Sequence, residues 1–440
     1  MMDYGAILTS VRDSINRSGS EKLSEKEDKR EVEVILKALI RKSLLRLELD
    51  SYDKEYLEKL EQRLYDDMAG FGCITKYISD DSVEEINCNS WDNIYIVRNG
   101  SVENLDVHFL TPGQCGDITR RMVRRGGQII DGTMPICDSY IDKGVRISAM
   151  APPVIEESKG AAFSIRRQRL LKLTKEDMVQ NGVALGEQLD LMIMCINHGV
   201  SVGIAGSTGS GKTSDINFLL NRVDPNKRIY AIEDTRELDL DPLGGKRQIV
   251  YTKTREGGSD KFNITADKLL RTALRFHPDI IVPAEMRGAE AMTAQEAGRT
   301  GHTIVTGFHA DNAIDAYTRI MTMCKMSGTD LTEETLMKNI VRAYPIMCYK
   351  AQLPDGSRKC MQLIEAVDFV NGEIKYNQIY RFVISSMKYD ENGKAIISGY
   401  HKRMGHISNK LALRLLENGA LPEEIRRFAG ENWSSEEAYG

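Results

Sequence analysis

Eight consecutive residues, Gly206-Ser207-Thr208-Gly209-Ser210-Gly211-Lys212-Thr213, fill the pattern G-x-x-x-x-G-K-[ST]. The apolar run Val202-Gly203-Ile204-Ala205 before them reads as a short buried strand, and residues 214–220 after them read as the start of a helix. A strand, a glycine loop and a helix N-terminus aim several backbone N–H groups at one anion, and the helix dipole adds to the attraction. In such a loop Lys212 reaches the β- and γ-phosphates of a nucleoside triphosphate, and the Thr213 hydroxyl binds Mg²⁺. The pattern predicts a site for ATP or a similar triphosphate.

A phosphate loop names the ligand class and no reaction, so the residues downstream of it must supply the chemistry. Glu233 and Asp234, in Ile232-Glu233-Asp234-Thr235-Arg236-Glu237, follow a strand, where carboxylates could hold Mg²⁺ through water or orient an attacking water. A second apolar strand in Asp279-Ile280-Ile281-Val282-Pro283-Ala284-Glu285 ends on Glu285, at the point where P-loop ATPases keep the group that polarises water or binds metal. Thr300-Gly301-His302 and Phe308-His309-Ala310 bracket a third strand, and His302 and His309 are expected to donate hydrogen bonds to a γ-phosphate or to sense its loss. No third or fourth ligand lies nearby in sequence to make this pair a zinc site. Upstream, Arg146, Arg166 and Arg167 are of the kind that stabilises charge on a transferred phosphoryl group. Each of these alone also has a plain structural reading, as an acidic turn, a surface arginine or a core histidine. The set is more specific than any member.

Several elements must position these groups. A chain of 440 residues is too long for one core and implies two or three domains. A formal net charge of -5 leaves no basic excess to neutralise phosphates, so direct nucleic-acid binding is not expected. The eight cysteines are scattered with no C-x-x-C pair, which fits reduced thiols in cytosol better than a zinc site or a disulfide framework. No apolar signal region opens the chain, and the most apolar run, 189–205, is broken by Asp190, Asn197, His198 and Gly199; a cytoplasmic protein is expected.

Residues 1–70 read as an N-terminal helical segment and linker, with a charged stretch at 18–30 and helical spacing of apolar residues over 32–64. Residues 71–170 read as an α+β domain, with strands at 94–97, 144–148 and 162–167, a hairpin turn at Arg98-Asn99-Gly100-Ser101, a helix over 117–125 and a loop at Pro152-Pro153. Residues 171–440 read as α/β: a connector to 182, then strands at 202–205, 229–232, 248–251, 280–282 and 303–308 alternating with helices that begin at Lys212, Thr265, Ala289 and Ala313. Two or three strands over 344–382 follow, with turns at Pro354-Asp355-Gly356 and Asn371-Gly372, and then a helical tail with Leu415-Leu416 and Ile425.

At these motifs the chain resembles the type II/type IV secretion ATPase superfamily. Glu233-Asp234 looks like its aspartate box, Ala284-Glu285-Met286-Arg287 like its Walker B, and Thr300-Gly301-His302 with His309-Ala310 like its histidine box. Asp80-Asp81-Ser82-Val83-Glu84-Glu85-Ile86 with Asn93-Ile94-Tyr95 looks like the start of the family's N-terminal domain, and Lys143-Gly144-Val145-Arg146 and Ser164-Ile165-Arg166-Arg167 like its arginine motifs. Ile379-Tyr380-Arg381-Phe382 is similar to the CpaF-like branch of tight-adherence (Tad/Flp) pilus systems. The resemblance implies a RecA-like P-loop domain behind a smaller α+β domain, assembled as a ring, usually a hexamer, that hydrolyses ATP with Mg²⁺ against an inner-membrane platform protein. Carried over, Lys212 and Thr213 bind phosphate and Mg²⁺, with Glu285 also near the metal. Glu285 orients water, Glu233 assists, His302 and His309 read the γ-phosphate, and Arg146 and Arg166 clamp it from the other domain.

Two departures stand out. Ala284 replaces the usual glycine before Glu285 and Pro283 precedes it; proline has no ladder donor and suits only an edge or a strand end, so slowed hydrolysis is expected. No tetracysteine module is present, which favours the Tad or conjugation branch over type II secretion. A helicase or packaging motor would need a basic stripe or aromatic platforms, and an ABC-type ATPase a signature loop such as LSGGQ. A nucleotide-gated scaffold with little turnover is the remaining alternative.

Overall fold

The computed structural model describes residues 3–18, 29–47, 53–98, 101–142, 144–167, 173–241, 244–245, 247–255, 263–391 and 393–438. The chain divides into two compact units, Met1–Arg169 and Leu170–Gly440.

The first unit opens with three helices, α1 (Tyr4–Ser18), α2 (Lys29–Leu45) and α3 (Lys54–Met68). Leu36, Ile40 and Leu44 recur every fourth residue, as do Val11 with Ile15 and Leu60 with Leu64, and these stripes close on one another as a small core. After α4 (Thr75–Ile78) come β1 (Val83–Ser90), β2 (Asn93–Arg98), β3 (Ser101–Asn104), α5 (Pro112–Arg125), β4 (Ile136–Asp142), β5 (Val145–Met150) and β6 (Ala162–Arg167). The strands form a six-stranded antiparallel sheet in the order β3-β2-β1-β6-β5-β4. One face is apolar: Ile86, Ile96, Ile147, Phe163 and Ile165 pack with Ile118, Met122 and Val123 of α5. Period-two alternation then sends Arg146 and Arg166 to the other face. The charged stretch at 18–30, the turn residues Asn99 and Gly100, and Lys143 fall largely or wholly outside the described residues.

The second unit is a three-layer α/β structure. Its elements are α6 (Lys175–Gln180), α7 (Gly186–Asn197), β7 (Val202–Gly206), α8 (Lys212–Leu220), β8 (Ile229–Glu233), β9 (Ile249–Lys253), α9 (Ala266–Ala273), β10 (Ile280–Pro283), α10 (Glu290–Arg299), β11 (Thr303–Phe308), α11 (Asp315–Lys325), α12 (Glu333–Ala343), β12 (Ile346–Gln352), β13 (Arg358–Val370), β14 (Glu373–Tyr389), β15 (Ala395–Arg403), α13 (Asn409–Glu417), α14 (Pro422–Ala429) and α15 (Ser435–Ala438). The sheet has nine strands in the order β15-β14-β13-β12-β7-β11-β10-β8-β9. From β12 to β9 neighbours run parallel; β13, β14 and β15 continue as an antiparallel extension.

Both faces of the parallel part are covered, which is why its strands read as continuous apolar runs. Ile204, Ile229, Ile280 and Val305 pack with α7, α8, α13 and α14 on one face. Tyr230, Ile281, Ile304 and Phe308 pack with α9 to α12 on the other. The expected strands over 344–382 are β12 to β14, with β14 running on to Tyr389. Beyond Phe382, β14 pairs with β15 alone, so the two leave the sheet as a ribbon. Ile384, Met387, Tyr389, Ile396 and Tyr400 of this ribbon are exposed.

Candidate nucleotide site

The carboxyl ends of four adjacent strands meet at one edge of the second unit. In the order β7, β11, β10, β8 they deliver the glycine loop, His309, Glu285 and Glu233. The glycine loop leaves β7 at Gly206, and Lys212 and Thr213 open the first turn of α8. Gly209 and Gly211 have φ of 77° and 88°, a left-handed backbone that other residues adopt at a cost. A Cβ on Gly206 would lie 2.4 Å from the Lys350 carbonyl oxygen, so this position admits only glycine. Ser210 is fully buried and its hydroxyl has no hydrogen-bond partner. The Lys212 ammonium donates to the Gly206 carbonyl at 2.9 Å and the Ser207 carbonyl at 3.0 Å, folded back onto its own loop. Burial pushes its pKa down, opposed by the charge of Glu285. An orphan hydroxyl, a lysine resting on carbonyls and a helix N-terminus fit a phosphate.

Glu285 lies two strands from the loop, at the end of β10 with β11 between. His309 Nε2 stands 3.1 Å from Glu285 Oε1, at ion-pair distance but without hydrogen-bond alignment, and His309 Nδ1 is 3.4 Å from Lys212 Nζ. Arg287 donates to Glu285 Oε2 at 2.7 Å and also reaches Asp234 at 3.5 Å. Burial pushes the Glu285 carboxyl up, but the hydrogen bond and charge of Arg287, with His309 and Lys212, outweigh it and hold it below the usual range. Pro283 is the last residue of β10, in register with Ile232. The backbone beyond it is held on both sides: Ala284 N–H donates to Ile232, Gly307 N–H to Ala284, and Met286 N–H to Gly307. The missing donor therefore leaves the Glu285 backbone anchored.

Glu233 is almost wholly buried at the end of β8, and its Oε1 accepts from the N–H groups of Glu237 and Leu238 at 2.7 and 2.8 Å. Its Oε2 has no hydrogen-bond partner, with Arg236 3.9 Å away. Burial pushes the carboxyl up to about 7 against those two donors. A carboxyl that binds its proton more tightly folded than unfolded contributes full stability below its ordinary pKa near 4.5 and loses it as pH rises through about 7. Wild type should lose about 3 kcal/mol from this group over that window. Glu233→Gln should be the flatter protein in urea unfolding between pH 5 and 8, and equal slopes in both would show that Glu233 ionises freely in the fold.

The histidine pair expected to read one phosphate is separated. His309 follows the carboxyl end of β11 and His302 precedes its amino end. A six-residue strand spans about 20 Å. His302 instead lines a polar cavity at the opposite edge, with His198, His277, Asp279 and Thr300. His302 is thus corrected out of the nucleotide edge: two residues that flank one strand point to opposite ends of the sheet. Arg146 and Arg166 belong to the first unit, directly paired across β5 and β6 and both exposed, with Glu85 3.7 Å from Arg166. Arg167, next along β6, bonds the Ile78 carbonyl and Asp81, a structural role.

Sequence reasoning missed three residues around the loop. Lys350 of β12 forms a buried ion pair with Asp215 of α8 at 2.5 Å, and Arg358 of β13 donates from Nε to the Gly209 carbonyl at 2.8 Å. Nothing in the local pattern marks them, because Lys350 lies 135 residues from Asp215 and Arg358 149 from Gly209.

The loop, the parallel sheet and a carboxylate at the end of the strand two places from the loop's own define the P-loop class of α/β proteins. Within it, the chain belongs to the type II/IV secretion system protein family, whose model matches residues 67–402. It is similar to the uncharacterized protein MJ0900 of Methanocaldococcus jannaschii, 29% identical over 248 residues, covering 56% of this chain and 44% of that one. It is also similar to the type IV secretion system protein PtlH of Bordetella pertussis, 31% identical over 211 residues, 43% of this chain and 61% of that one. The chain therefore spans less than two thirds of these relatives. Among solved structures, the ATPase DotB of Legionella pneumophila is 18% identical with a TM-score of 0.49, covering 67% of this chain and 79% of that one. Among the described residues, no helix is long and apolar enough to cross a membrane.

Proposed function

We propose that this protein is a ring-forming ATPase that hydrolyses ATP with Mg²⁺ to drive assembly of a Tad/Flp-like pilus, or protein secretion, at an inner-membrane platform protein. The observation that carries the reading is Glu285, a carboxylate held ionised by Arg287 and placed beside His309, which itself stands next to Lys212 of the phosphate loop. In that position a carboxylate can orient the water that attacks a γ-phosphate. The loop N–H groups and Lys212 hold the phosphates. Mg²⁺ would rest on the Thr213 hydroxyl and the phosphate oxygens, with Glu285 acting through water. A role in type IV secretion or conjugation is the second reading, favoured by the 31% identity to PtlH.

In this reading Arg146 and Arg166, side by side on the exposed face of the first unit's sheet, act on the γ-phosphate. Arg146→Ala should lower ATP turnover by on the order of a hundredfold and leave the melting temperature unchanged. Full turnover in this variant would remove the first unit from the reaction. The whole reading is tested by steady-state ATP hydrolysis with mass from light scattering on the same sample: turnover that accompanies a ring-sized species supports it, and a nucleotide-bound protein without turnover points to a gated scaffold.

A further inference from the structure

The antiparallel extension reaches back to the phosphate loop with two cations. Lys350 lies on β12 directly opposite Gly206, with its Nζ 2.5 Å from Asp215 in the first turn of α8. Both side chains are almost fully buried, at 2% and 5% exposure. Asp215 N–H in turn donates to the Gly211 carbonyl at 3.1 Å. Arg358 opens β13 and sits outside the loop, its Nε on the Gly209 carbonyl at 2.8 Å and its Cδ 3.3 Å from where a Gly211 Cβ would lie. One cation thus holds the base of the loop and the other its rim.

Physical chemistry gives each a use. A buried ion pair is a poor way to gain stability, because desolvating two charges offsets most of their attraction; apolar residues of like volume do as well or better. What the pair does supply is a fixed geometry between the strand under Gly206 and the helix that carries Lys212. The Gly209 carbonyl belongs to the same planar peptide as the Ser210 N–H, and in a trans peptide the two point in opposite directions. A guanidinium on that carbonyl polarises the peptide and strengthens the N–H on the other side as a donor. In the structure the Ser210 N–H closes the loop's own turn on the Ser207 carbonyl at 3.3 Å, so Arg358 acts on the shape of the loop through a peptide bond, without touching the phosphate.

We propose that Lys350 and Arg358 are positioning residues for nucleotide binding, by which the antiparallel extension sets the shape of the phosphate loop. The inference rests on reading residues 206–213 as the phosphate cradle. It is tested on the full chain by titration with a fluorescent ATP analogue, by ATP KM and kcat, and by the melting temperature without nucleotide. Arg358→Gln should weaken ATP binding about tenfold, raise KM in step, leave kcat within about twofold and leave the melting temperature unchanged; Arg358→Lys should recover part of the loss. Lys350→Met alone strands Asp215 as a buried unpaired charge, so it is paired with Asp215→Leu. That double variant should melt at or above the wild-type temperature and still bind ATP about tenfold more weakly. Wild-type affinity in Arg358→Gln, or in a stable double variant, overturns the proposal. Lys212→Ala serves as the control: if it too binds as wild type, the cradle reading itself has failed, whereas if it alone loses affinity only the present inference has.

Discussion

Lys212→Ala should abolish tight ATP binding, with a loss of at least about a hundredfold in affinity, near 3 kcal/mol. The ammonium is half-buried and rests on the Gly206 and Ser207 carbonyls, within 3.4 Å of His309. A phosphate offers it a full charge in place of two dipoles, and burial strengthens that exchange because little water screens it. Its pKa is held down by burial, so the site gains when an anion arrives to share the charge. Removing the ammonium takes away the main counterion and leaves only N–H donors. Nucleotide titration of the variant decides the matter, and unchanged affinity would remove residues 206–213 from nucleotide binding altogether.

Glu285→Gln should leave nucleotide affinity within a few-fold of wild type and cut turnover by about a thousandfold, near 4 kcal/mol in the barrier. Glutamine keeps the shape and still offers an oxygen to Arg287, so the loop and the backbone beside Gly307 should stay in place. What disappears is the negative charge that orients and polarises water. Arg287 keeps that carboxyl below its ordinary range, so it remains ionised throughout the neutral region, and any acid limb of the rate profile must come from another group. Glu233, pushed up to about 7, is one such group. Single-turnover measurements with the variant separate binding from chemistry, and a wild-type rate would move the catalytic role to Glu233.

Much of this edge was legible because each part of it carries a local signal. The loop spells its own pattern, and apolar runs such as Ile280-Ile281-Val282 mark strands buried on both faces. What proved illegible depends on pairing and direction. Thr300-Gly301-His302 reads like Phe308-His309 in a list of motifs, yet a strand has two ends and only one faces the phosphate. β4 and β15 escaped notice because few of their residues are buried and apolar: β4 buries Cys137, Ser139 and Ile141, and Ala395 is the one buried residue of β15. Lys350 and Arg358 look like surface cations until β12 and β13 are laid beside β7.

The ribbon formed by β14 and β15 gives the molecule leverage. It continues the sheet whose central strand ends in the phosphate loop, joined to β7 through β12 and β13 by neighbouring ladders that carry a few bulges. From Phe382 to Tyr389 it stands clear of β13, an arm of roughly 26 Å at the usual rise per residue. A tilt of about 5° at its root would sweep its tip by about 2 Å, so small adjustments of the sheet around the loop arrive at the ribbon's exposed tyrosines as a displacement large enough to make or break a contact.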